Sequence, residues 1–210
     1  MFLVNRVFVL IILVFSVLLF WGCTQTGNDG AQPAGGSTGS TNTASTKELA
    51  KVYMDAFSKG CSWSKVSKVS ISSNQGDSEY NISPEGVFTR VSGEAASNEK
   101  IASSLLKTAL CLGNSMATVW HYSVPTGQDV PPGQWVNTGN TVGGVIKFKI
   151  SEKTVNGRTI LVGESIAKSI DGKETTSVTE ISRDTGLVTR LSSTKSDGTP
   201  NESNYVYTYK

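Results

Sequence analysis

Val142-Gly143-Gly144-Val145-Ile146-Lys147-Phe148-Lys149-Ile150-Ser151 is the stretch from which the fold of this 210-residue chain is read. Val142, Gly144, Ile146, Phe148 and Ile150 alternate with Gly143, Val145, Lys147, Lys149 and Ser151, the period-2 pattern of a strand with one apolar and one largely polar face. Turn pairs then recur at Asn156-Gly157, Asp171-Gly172, Thr185-Gly186 and Asp197-Gly198. They separate runs of about ten residues, the rhythm of successive hairpins. Residues 142–210 therefore read as an antiparallel meander, and half-buried strands of that length favour a strongly twisted, curled sheet. Ile160, Val162, Ile166 and Ile170 share one face of a strand, and Tyr205, Tyr207 and Tyr209 share a face of the last one.

Upstream, Met116 to Val124 reads as the most aromatic strand, with Thr118, Trp120, Tyr122 and Val124 on one side and Ala117, Val119, His121 and Ser123 on the other. Pro125 to Gly133 holds three of the six prolines and must be a loop, after which Trp135 resumes the pattern. Lys65 to Ser72 and Asp77 to Ser83 read as strands around Asn74-Gln75-Gly76, with Gly86 to Ser92 as a third. Two helices precede or interrupt them. Ser45 and Glu48 have capping-box spacing, and Leu49, Val52, Tyr53, Ala56 and Phe57 form a stripe that ends at Gly60. Asn98 to Leu112 carries Ile101, Leu105, Leu106, Ala109 and Leu112 on one side, with Gly113 as a stop. The predicted class is α+β: a strongly twisted antiparallel sheet with two helices packed on one face, forming a single domain over residues 47–210.

Everything ahead of that domain concerns location. Val7 to Trp21 is apolar and follows the single cation Arg6. A helix of that length reaches about 23 Å, short of the roughly 30 Å hydrocarbon core of a bilayer. A secretory signal over residues 1–22 fits better than a permanent span. Thr24 to Thr46 is a Gly/Ser/Thr-rich run with almost nothing apolar to bury, a flexible tether of about 25–30 Å root-mean-square span. At Leu19 to Cys23 the chain resembles the lipobox of secreted lipoproteins: Gly22 and Cys23 match, while Phe20 and bulky Trp21 depart from it. The resemblance implies removal of residues 1–22, lipidation of Cys23, and a membrane-anchored extracytoplasmic domain on a tether over residues 23–46. Bacterial and archaeal processing both stay open, as do an ordinary signal cleaved nearby and an uncleaved anchor.

Composition bounds the chemistry. Nineteen Lys and Arg against 17 Asp and Glu, scattered singly or in pairs, make no basic stripe, so no nucleic acid is expected. With Cys23 assigned to lipid, Cys61 and Cys111 remain, an even pair in an oxidising compartment, and a disulfide is expected. Each would lie at the C-terminal end of a helix. His121 is the only histidine, which excludes a multi-histidine metal site. No metal or other cofactor is expected, and Glu180 and Asp184 have no spacing that singles them out as an acid/base couple.

An exported chain that opens with an amphipathic helix and closes in a meander resembles the superfamily of lipoprotein carriers and sensors that includes LolA, RseB and LppX-type proteins. Arg183 to Arg190 is similar to the D-x-x-T-G-L hairpin of their late strands, and Thr118 to Tyr122 to their W-x-Y strand. The resemblance implies a half-barrel-like meander whose concave apolar face, lidded by helices, holds an acyl chain or another hydrophobic ligand. Trp120, Tyr122, Ile146, Phe148, Ile160, Val162 and Ile166 are the expected lining. A non-enzymatic lipid-binding lipoprotein is thus one expectation. A cell-surface module that binds a protein or glycan is the other.

Overall fold

Hairpin turns order the sheet of this computed structural model, which describes residues 44–58, 60–74, 76–93, 99–138, 144–194 and 197–210. The strands are β1 (Val66–Ser73), β2 (Gly76–Ile82), β3 (Phe88–Ser92), β4 (Val136–Asn137), β5 (Gly144–Val155), β6 (Arg158–Lys168), β7 (Glu174–Ser182), β8 (Val188–Thr194) and β9 (Pro200–Tyr209). They form one open antiparallel sheet in the order β3-β2-β1-β9-β8-β7-β6-β5-β4. Residues Thr43–Lys210 make one compact unit.

The meander is as expected, each strand from β5 to β9 pairing with the next. Asn156 and Gly157 both take positive φ, 50° and 74°, which matches the right-handed twist of β5 and β6 and closes the tight turn between Val155 and Arg158. Less obvious is the long-range pairing of β1 with β9, which sets Val69 opposite Tyr207 and Ile71 opposite Tyr205 and joins the N-terminal hairpins to the end of the meander.

Among the described residues three α-helices pack on the sheet rather than two: α1 (Thr46–Phe57), α2 (Glu99–Leu110) and α3 (Gly113–Ser123). α1 starts as expected, with Glu48 donating its backbone N–H to Ser45 Oγ and its carboxylate accepting from Ser45 N–H at 2.9 Å. Its buried stripe is Leu49, Ala50, Tyr53 and Phe57, so Val52 and Ala56 turn outward. The expected strand over Met116–Val124 is helix α3. Ala117, Trp120 and Val124 are buried while Tyr122 is 75 % exposed, a helical rather than an alternating pattern. Val119, Trp120 and Tyr122 favour a strand locally, but packing against α1 overrides that propensity. Gly113 accordingly begins α3 instead of merely ending α2.

Two groups of buried side chains hold the layers together. Tyr53, Phe57, Trp120, Phe148, Ile150 and Leu161 join α1 and α3 to β5 and β6. Trp63, Val69, Phe88, Leu110 and Tyr207 form the second group at the end of α2, where Cys61 and Cys111 stand at disulfide distance, their Cα atoms 5.8 Å apart. Each large side chain fully buried in this way contributes about 1.5–3 kcal/mol.

Candidate functional site

The face of the sheet beneath α1 and α3 is where a ligand of the lipid-carrier kind would lie. In register, Ile150 stands opposite Gly163 and Phe148 opposite Ser165, and Leu161, Ile181 and Val188 continue the same face. Gly163 is there because Trp120 needs the room: a Cβ on it would overlap Cζ2 and Cη2 of the indole. The ring rests against bare backbone and fills the space between helix and sheet with the protein's own atoms.

The expected lining residues do not converge. Trp120 and Phe148 meet in this core. Tyr122 points to solvent. A register shift between Val145 and Lys147 puts Val145 against the core and leaves Ile146 as the extra residue of a β-bulge. Ile160, Val162 and Ile166 lie on β6 positions that pair with Lys153, Ser151 and Lys147, the face away from the helices. Ile170, expected on their face, sits at a turn and is 89 % exposed. One bulge and one strand parity thus split a set that looks continuous in sequence.

Charged side chains occupy much of that outer face. Glu180 bonds Lys153 at 2.8 Å and Arg190 at 3.3 Å, Arg190 reaches on to Glu202 at 3.2 Å, and Lys149 holds Glu164 at 2.8 Å. Asp184 pairs instead with Arg158 at 2.9 Å. Glu180 and Asp184 are thus held by different cations, Glu180 by Lys153 and Arg190 and Asp184 by Arg158. At the β4 edge Trp135 is partly exposed, with the ammonium groups of Lys147 and Lys149 at 5.3 and 5.0 Å from its ring centroid. The signal for this arrangement was present in the alternation of β5, whose polar side carries both lysines.

The loop ahead of Trp135 also fastens the start of α1. Thr46 N–H donates to Val130 O at 2.7 Å and Lys47 N–H to Asp129 Oδ1 at 3.0 Å, so a carboxylate caps the positive end of the helix. His121 Nδ1 lies 3.1 Å from Lys47 O. The one histidine therefore bonds a backbone carbonyl, while Cys61 and Cys111 stand at disulfide distance from each other.

A third polar cluster locks α1 to the sheet. Tyr53 O–H donates to Glu152 Oε1 at 2.6 Å, and Arg183 Nη1 lies 3.3 Å from the same oxygen. Burial, and then the Glu152 carboxylate, push the Tyr53 phenol above the usual tyrosine range; burial alone does the same to Tyr205 and most of the work for Tyr207. All three hold their protons more tightly folded than unfolded. Their contribution to stability is complete below about pH 10 and is lost as pH rises toward their folded values. Unfolding free energies from urea titrations at pH 8 to 11.5 should fall above about pH 10, by about 1.4 kcal/mol per pH unit for each tyrosine involved, and Tyr53→Phe should shallow that slope by one proton.

Compared with family models, curated proteins and solved structures, the chain matches none. The hairpin from Arg183 to Arg190 does form, with Ser182 N–H donating to Leu187 O at 2.9 Å. Thr118 to Tyr122, the other stretch behind the resemblance to lipoprotein carriers, is helical. No helix among the described residues is long and apolar enough to cross a membrane.

Proposed function

We propose that the chain is a membrane-anchored extracytoplasmic lipoprotein, held by lipid on Cys23, whose domain is a non-enzymatic binding module that works through its outer surface. The observation that carries this reading is the seat of Trp120 on Gly163. A carrier of acyl chains needs the concave face of its sheet for cargo, whereas here Tyr53, Trp120, Phe148 and Ile150 are packed into that layer. Recognition then falls to side chains at the surface.

Native mass spectrometry and thermal melts of the full chain with added fatty acids test it. The binding-module reading expects no stoichiometric acyl ligand and a melting temperature unchanged by fatty acid. A co-purifying acyl chain, or a shift of several degrees, contradicts it in favour of a carrier. For the anchor, Cys23→Ser should move the protein from the membrane to the soluble fraction. Unchanged fractionation means that an uncleaved helix holds it.

A further inference from the structure

The start of α1 lies beside exposed aromatic rings and half-buried lysines. Val130 and Asp129, which bind the first turn of α1, belong to the loop that leads into Trp135. His121, which meets Lys47 O, has its ring 5.0 Å from that of Tyr122. Tyr122 is 75 % exposed and Trp135 39 %. We propose that this β4 edge rests on an anionic lipid surface through Tyr122, Trp135, Lys147 and Lys149. The proposal rests on the reading of Cys23 as the membrane anchor and adds the orientation that the domain takes there.

The physical case has three parts. A chain tethered at its N-terminus presents the end where the tether enters to the membrane with the least extension of the tether. Tryptophan and tyrosine favour the headgroup layer, where the ring is half in hydrocarbon and the N–H or O–H stays hydrated. The charges complement an anionic surface. Among the described residues Lys147 has no carboxylate partner, and Lys149 shares its charge with Glu164 alone. The nearby carboxylates of Glu48 and Asp129 are turned to backbone N–H groups at the start of α1.

Vesicle binding by residues 23–210 carrying Cys23→Ser tests the patch without the lipid, since residues Thr43–Lys210 form one compact unit with its own core. Trp63 and Trp120 are buried, so of the three indoles in that chain Trp135 is the one open to solvent, and its emission reports docking. Phosphatidylglycerol/phosphatidylcholine vesicles should shift the emission to the blue and pull the protein down. Salt should weaken this, and Lys147→Ala should lower partitioning about fivefold. Trp135→Phe should abolish the shift, and Tyr122→Ser, at an exposed position that folding does not need, should reduce sedimentation.

Absence of both shift and sedimentation overturns the proposal. So does equal binding to pure phosphatidylcholine without a salt effect. A shift with soluble polygalacturonate but none with vesicles overturns it as well and makes Trp135 a saccharide platform. None of these outcomes bears on Cys23, which fractionation of the lipidated protein tests separately.

Discussion

Gly163→Ala should destabilise the domain by about 3 kcal/mol, the upper part of the range for overpacking a core. The new methyl group has nowhere to go, because Cζ2 and Cη2 of Trp120 already occupy its place and Trp120 is only 4 % exposed. Relief requires the indole to leave its seat between α3 and β6. Truncating the ring, as Trp120→Ala, costs about 3–5 kcal/mol by itself through the void it leaves. The two effects share one space and cannot add. Gly163→Ala in a Trp120→Leu background should therefore cost much less than in the wild type. Urea unfolding of the four proteins gives the comparison, and a Gly163→Ala variant within about 0.5 kcal/mol of wild type would show that helix and sheet are not packed in the way described.

The second large effect belongs to the disulfide. Replacing both Cys61 and Cys111 by serine opens a loop closed over a sequence separation of 50, worth about 4 kcal/mol in the chain-entropy picture. What the bridge holds is the C-terminal end of α2 against the segment that follows α1. Among the described residues α2 is also fastened by Leu110 and Leu106 in the second core and by Lys107 Nζ donating to Glu85 O at 2.8 Å. Hydrogen exchange should therefore rise first in α2 and only later in β5 to β8. A reducing agent should reproduce the loss in wild type and leave the double variant unaffected. Equal stability of the two proteins, with both thiols of the wild type free to alkylation, would remove the bridge from the account.

How far the sequence reveals this protein depends on how local the cause is. Asn156-Gly157 closes a hairpin and Ser45 caps a helix by chemistry confined to a few residues, so these features are legible, and with them the order of strands in the meander. The pairing of β1 with β9 joins segments more than a hundred residues apart, and no local pattern announces it. Met116 to Val124 has strand-forming residues but becomes helix because Ala117, Trp120 and Val124 find α1 and the sheet. The expected lining failed for a smaller reason. A single extra residue at Ile146 exchanges the faces of β5 ahead of it, and the apolar side of β6 at Ile160, Val162 and Ile166 turns out to be its outer one. Trp135 was visible as an aromatic residue after the proline loop, but its two lysines come to it only when β4 pairs with β5.

Intact-mass spectrometry of the detergent-extracted protein from its own cells tests the lipid anchor on Cys23 most directly. The expected result is a chain that begins at Cys23 and carries added lipid mass, which base hydrolysis of ester-linked acyl chains reduces. A chain that keeps residues 1–22, or one that begins elsewhere without lipid, would contradict it.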